Sequence, residues 1–125
     1  MGMRAVRLFA LVLVLALAAC GGGGGGGSSS AKGAASSSPC PKGATVVHMR
    51  NIKFDPEATQ AKVGQQVCWV NDDDVQHDAQ AQDGQFESVL FGKGMSYTTK
   101  LRKAGDIAYV CTVHPGMTGT LKVTP

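Results

Sequence analysis

The segment from Ala44 to Pro125 is predicted to fold as an all-β sandwich, and three observations predict it. Apolar and polar residues alternate there in short stretches, turn signals interrupt them, and no helical periodicity runs for a useful length. Val47, Met49, Ile52 and Phe54 mark a first strand region that stops at Asp55-Pro56, and Ala61 to Val63 leads into a turn at Gly64. Val67 to Val70 reads as a strand with Val67 and Trp69 on one face and Cys68 and Val70 on the other, because side chains alternate at a period of two. A polar loop, Asn71 to Asp74, follows.

From Gln76 to Gly92 the pattern is weak, with Phe86, Val89, Leu90 and Phe91 as the expected core contacts. Gly92 and Gly94 then mark a turn before Ser96 to Leu101. Ala104-Gly105 turns the chain into Ile107 to Cys111, with Ile107, Tyr109 and Cys111 on one face, so Cys111 should point into the sandwich at its rim. Thr120 to Val123 closes the fold, with Leu121 and Val123 inward.

The chain has 125 residues, and its first part is of another kind. Arg4 and Arg7 precede an apolar run, Leu8 to Ala19, that is too short for the roughly 20 residues of a membrane span. Residues 1–19 read as a secretory signal whose end, Leu17-Ala18-Ala19-Cys20, resembles the lipobox of bacterial lipoproteins. Cys20 would then carry the lipid that anchors the protein to an extracytoplasmic membrane surface, on the periplasmic side or at the cell surface. Residues 20–43, rich in Gly, Ala and Ser, have almost nothing to bury and are expected to form a flexible tether with a reach near ~25 Å. Residues 44–125 form the one folded domain.

The formal charge of +3 misleads about that domain. From Ala44 onward there are eight bases and nine acids, so no basic field exists for nucleic acid. Binding to DNA or RNA is excluded as a function class.

The chemistry is concentrated in Cys111-Thr112-Val113-His114-Pro115-Gly116-Met117, with His77 upstream. One thiolate, two imidazoles and a thioether make the ligand set of a blue-copper site: the sulfurs suit Cu(I), and the imidazoles also suit Cu(II). A zinc site is the chemical competitor, but zinc seldom takes a thioether and structural zinc prefers several thiolates or histidines.

The stretch from Val46 to Val123 resembles a cupredoxin of the plastocyanin and amicyanin type, which implies a Greek-key β-sandwich holding one copper ion. The resemblance rests on the spacing Cys111-x-x-His114-x-x-Met117, on Phe54-Asp55-Pro56 and Val63-Gly64, and on Val67-Cys68-Trp69-Val70-Asn71, Tyr109-Val110-Cys111-Thr112 and Met117-Thr118-Gly119-Thr120. It implies copper held by His77, Cys111, His114 and Met117. It also implies that His114 is the exposed ligand, in an apolar patch that Pro115, Gly116 and Met117 would fit, through which a redox partner such as a cytochrome or oxidase exchanges electrons. Gln76-His77-Asp78 departs from the Pro-His-Asn usual in the family. Asp78 keeps the backbone amide that the family aims at the copper-bound sulfur, and its side chain could accept from the Thr112 hydroxyl. Cys68 is the second departure, since relatives commonly have Thr or another residue there.

With Cys20 given to lipid and Cys111 to copper, Cys40 and Cys68 remain, either as a disulfide pinning the incoming segment or as two unrelated thiols. Cys68 is expected on the outer surface of its strand. His48 should point to solvent and is not assigned to the metal. Asp72-Asp73-Asp74 reads either as a solvated turn or as a docking patch for a basic redox partner. The function expected is one-electron transfer by a monomer without catalysis; the alternative is a copper-binding protein for delivery or buffering.

Overall fold

The structure, a computed structural model, describes residues 32–125. The signal and the lipidated Cys20 expected from the sequence lie outside the described residues. Eight strands are present: β1 (Thr45–Arg50), β2 (Lys53–Asp55), β3 (Ala58–Lys62), β4 (Gln66–Asn71), β5 (Gln80–Ala81), β6 (Ser96–Lys100), β7 (Gly105–Val110) and β8 (Thr118–Thr124). They form two four-stranded sheets, ordered β2-β1-β4-β6 and β3-β8-β7-β5, and the described residues contain no helix. Each sheet is mixed, since β1 runs parallel to β4 and β3 parallel to β8. An all-β sandwich is what the alternation predicts.

The core is made by the inward positions of that alternation. Val47 and Met49 of β1, Val67 and Trp69 of β4, Ile107 and Tyr109 of β7, and Leu121 and Val123 of β8 are all buried. Trp69 is the centre of an aromatic cluster, with ring centroids 4.8 Å from Phe86, 5.5 Å from Tyr109 and 5.7 Å from Tyr97. Such rings bury much area and prefer the edge-on and offset contacts seen here.

Two local expectations are corrected and one is refined. Ile52 is not an inward strand residue: Asn51 and Ile52 both have positive φ, 54° and 57°, and form the turn between β1 and β2. A β-branched residue seldom adopts that conformation. It is held here because Asp73 accepts hydrogen bonds from both turn amides, at 2.8 and 2.9 Å. Val89 and Leu90 are exposed rather than core, while Phe86 and Phe91 on either side of them are buried. Cys68 does lie on the outer face of β4, yet it is fully buried because it is bridged to Cys40, with Cα atoms 5.8 Å apart.

That bridge also changes the reading of the tether. Residues 33–40, expected to be flexible, lie along the domain: Ser36 exchanges two backbone hydrogen bonds of 2.8 Å with Ser96, and Gly33 bonds to Glu87 and Val89. Backbone pairing and a covalent link order a segment whose composition alone offers little to bury.

Gly119 shows how tightly the core is filled. A Cβ there would sit 2.3 Å from Tyr109 Cζ and 2.5 Å from its hydroxyl. Gly119→Ala is therefore expected to lower stability by roughly 1–3 kcal/mol, as overpacking does, with the denaturant midpoint falling in urea titration.

Candidate metal centre

Cys111 follows the last residue of β7, and Thr118 begins β8, so the loop between them is a short strand-to-strand turn. Its ends are paired: the Cys111 amide donates to the Met117 carbonyl at 3.0 Å, and the Met117 amide to the His114 carbonyl at 3.1 Å. Gly116, with φ of 82°, supplies the left-handed step that lets the chain return. Cys111 is thereby placed at the rim, pointing inward and buried.

His77 arrives from the stretch before β5. Its backbone and that of Phe91 exchange two hydrogen bonds, at 3.2 and 2.9 Å. Asn71, fully buried at the end of β4, reinforces the pair by donating from Nδ2 to the Phe91 and Val75 carbonyls. The His77 ring, also fully buried, is then aimed at the loop.

Three donor atoms converge. His77 Nδ1 lies 3.8 Å from Cys111 Sγ, His114 Nδ1 lies 3.5 Å from it, and the two Nδ1 atoms are 3.1 Å apart. His77, Cys111 and His114 form the one group of three or more His, Cys, Asp or Glu side chains among the described residues that could hold a metal ion. Met117 is buried beside them on the same loop, which corrects its place in the exposed patch. The surface around the half-buried His114 is made instead by Val113, Pro115 and Gly116.

Burial pushes the Cys111 thiol up, and the Asp78 carboxylate adds to this, while the backbone amides of Asp78 and Val113 act in the opposite sense. Burial and that carboxylate thus favour the protonated sulfur until a cation displaces the proton. A buried thiol with two ring nitrogens facing it fits a soft, imidazole-binding metal such as copper.

The chain belongs to the plastocyanin/azurin family of copper-binding proteins. The family model matches residues 41–124. Amicyanin-alpha of Methylorubrum extorquens is 28% identical, over 66% of this chain and 74% of its own length. Amicyanin of Paracoccus denitrificans is 33% identical over 65% and 66%, and plastocyanin of Scenedesmus fuscus 34% identical over 56% and 85%. Among solved structures, an oxidised amicyanin mutant superposes with a TM-score of 0.68 at 25% identity, covering 74% of this chain and 94% of the other. This is the cupredoxin fold, and the cofactor of the family is one copper ion held by a His-Cys-His group such as the one found here.

Around the three donors the structure adds carboxylates. Asp78 is buried and accepts from the Thr112 amide at 2.6 Å and from the Thr112 hydroxyl at 2.5 Å. Asp73 Oδ2 lies 2.8 Å from His77 Nε2, the ring nitrogen that faces away from the sulfur. A carboxylate on the far nitrogen fixes the tautomer and orientation of a ligating imidazole. Within the acidic triplet, Asp72 pairs with His48 at 2.8 Å, Asp74 with Lys93 at 2.7 Å, and Asp73 serves the Asn51–Ile52 turn and His77. Asp73 is the neighbour of the candidate site that the sequence alone does not single out. Its spacing of four from His77 was the available signal.

Burial by itself would raise the Asp73 carboxyl, but the Ile52 amide, the His77 ring and the Asn51 amide outweigh it and hold it below the ordinary carboxylate value. A carboxyl held lower in the folded than in the unfolded chain stabilises the fold above the ordinary value, and that contribution is lost as pH falls through the folded one. Metal-free Asp73→Asn should therefore be less stable than the parent at pH 7. The gap should narrow as denaturation is repeated at pH values below about 4.

Proposed function

We propose that this protein is a type 1 copper protein that carries single electrons at an extracytoplasmic membrane surface, with His77, Cys111, His114 and Met117 as its ligands. The carrying observation is the convergence of one buried thiol and two imidazoles on a scaffold that fixes them by backbone hydrogen bonds. Bound copper supplies the change of oxidation state. The residues supply everything else: His77 is held at Nε2 by Asp73, its backbone is paired with Phe91, and the ends of the Cys111 to Met117 loop are paired, so the donors have little room to move between the two states.

Met117, buried on the ligand loop, is the remaining soft donor and would be the fourth residue to hold the copper. His114 is the half-buried ligand, and the apolar skin of Val113, Pro115 and Gly116 around it suits brief contact with a redox protein partner. The disulfide accords with an oxidising compartment outside the cytoplasm, and the segment ending at Cys20 supports a lipid anchor.

The oxidised, copper-loaded protein is expected to show a strong visible thiolate-to-copper charge-transfer band that disappears in Cys111→Ser. A spectrum without that band would overturn the ligand assignment. Asp78 places a carboxylate beside the sulfur, where negative charge favours the more positive oxidation state. Asp78→Asn is expected to raise the reduction potential, as read by protein-film voltammetry; a level or lower potential would remove Asp78 from that role.

A further inference from the structure

The sandwich is open along one side, where β6 edges the first sheet and β5 the second. On the β5 side the sheet is extended by residues 87–91, through isolated bridges of Glu87 to Gln80 and of Phe91 to His77. Residues 33–40 cross this opening as a strap. At one end the Gly33 amide donates to the Glu87 carbonyl at 2.6 Å, the Gly33 carbonyl accepts from Val89 at 3.0 Å, and Lys32 Nζ meets the Glu87 carboxylate at 3.0 Å. In the middle Ser36 pairs with Ser96, whose hydroxyl also donates to the Ser38 carbonyl at 3.0 Å. At the other end Cys40 is bonded to Cys68 of β4.

Residues 87–91 therefore have two partners. On their outer edge they hold the strap; on their inner edge they hold the stretch that carries His77. There Ser88, fully buried, donates its amide to the Ala79 carbonyl at 3.0 Å and accepts the Ala79 amide on Oγ at 2.9 Å, while Phe91 pairs with His77.

The need for outside support follows from the topology. Cys111, His114 and Met117 sit on a turn between two long, mutually paired strands. His77 lies ahead of a strand of only two residues, and its own backbone pairing is a single bridge. Nor does the strap hold itself: a run of Gly, Ala and Ser buries little apolar surface, so its few hydrogen bonds must offset the entropy of ordering it. The covalent bridge shortens the stretch left free to move. The glycine is equally specific, because a Cβ at Gly33 would fall 2.2 Å from Tyr97 Cε2, where the strap lies flat on the ring.

We propose that the strap, locked by Cys40–Cys68 and seated by Gly33 on Tyr97, is a positioning element of the copper site, holding residues 87–91 and through them the backbone of His77. This rests on the reading of His77 as a ligand, yet it is testable without metal.

Two variants of the full chain test it: the Cys40→Ser/Cys68→Ser pair, and Gly33→Ala with the bridge intact. Amide hydrogen exchange of the metal-free protein is compared at His77 and Phe91 and along β7 and β8. Local opening confined to the supported segment should speed exchange at His77 and Phe91 by about tenfold or more, leaving β7 and β8 at parental rates. The copper-loaded variants should show a weakened or displaced charge-transfer band. Unchanged exchange at His77 and Phe91, or equal acceleration at every amide, would overturn the proposal. Should the cysteine pair fail to fold, Gly33→Ala decides alone. A parent chain that shows no charge-transfer band would count against the copper ligation, while the exchange result would still decide the strap.

Discussion

Two hydrogen bonds from Thr112 to the buried carboxylate of Asp78 join the two halves of the metal site. One half is the turn between β7 and β8, which carries Cys111, His114 and Met117; the other is the segment leading to β5, which carries His77. They lie 34 residues apart in sequence, and the backbone pairing of β5 with β7 brings them together from the side of the sheet. A buried carboxylate is costly to leave unpaired, so the fold is favoured only when both oxygens find donors. Thr112 offers an amide and a hydroxyl from adjacent positions, which matches the two oxygens of one carboxylate. The spacing between His77 and the Cys111 sulfur is thus held by this link and by the β5–β7 pairing, neither of which involves the metal.

The electrostatics extend that arrangement. Asp73 and Asp78 place two carboxylates about His77, and a third anion at Cys111 would be unfavourable in a buried site. Burial and the charge of Asp78 accordingly favour the protonated thiol in the metal-free chain. The backbone of Asp78 and of Val113 acts in the opposite sense and eases the loss of that proton. A cation that replaces the proton would relieve the repulsion.

Much of this was legible in the sequence. The alternation through Val67 and Trp69, through Ile107 and Tyr109, and through Leu121 and Val123 specified the inward faces, because a strand has one period and a sandwich one core. The donor cluster was legible because Cys111 and His114 share one short turn. What escaped were features set by long-range pairing. Asp73 looked like one of three equivalent solvated acids, and only the fold brings it to both His77 and the Asn51–Ile52 turn. The order of residues 33–40 was hidden by composition, since Gly, Ala and Ser report what a segment can bury and not what it can pair with. Val89 and Leu90 were misplaced because an apolar run without alternation does not say which of its members face inward.

The two ends of the polar network and the apolar core divide the work of the small domain. Trp69 and the rings around it hold the sheets face to face, but a cluster of apolar contacts is tolerant of small displacements. Hydrogen bonds to buried groups are less so, since a shift of half an ångström leaves a donor or acceptor unmet. At the metal end the fixing contacts are of this second kind: Asn71 to Phe91, Phe91 to His77, His77 to Asp73, and Thr112 to Asp78. A site that must keep its donors in place while the charge on its metal changes is better served by directional bonds than by packing. That is the reason the rim of this sandwich, and not its centre, holds the ligands.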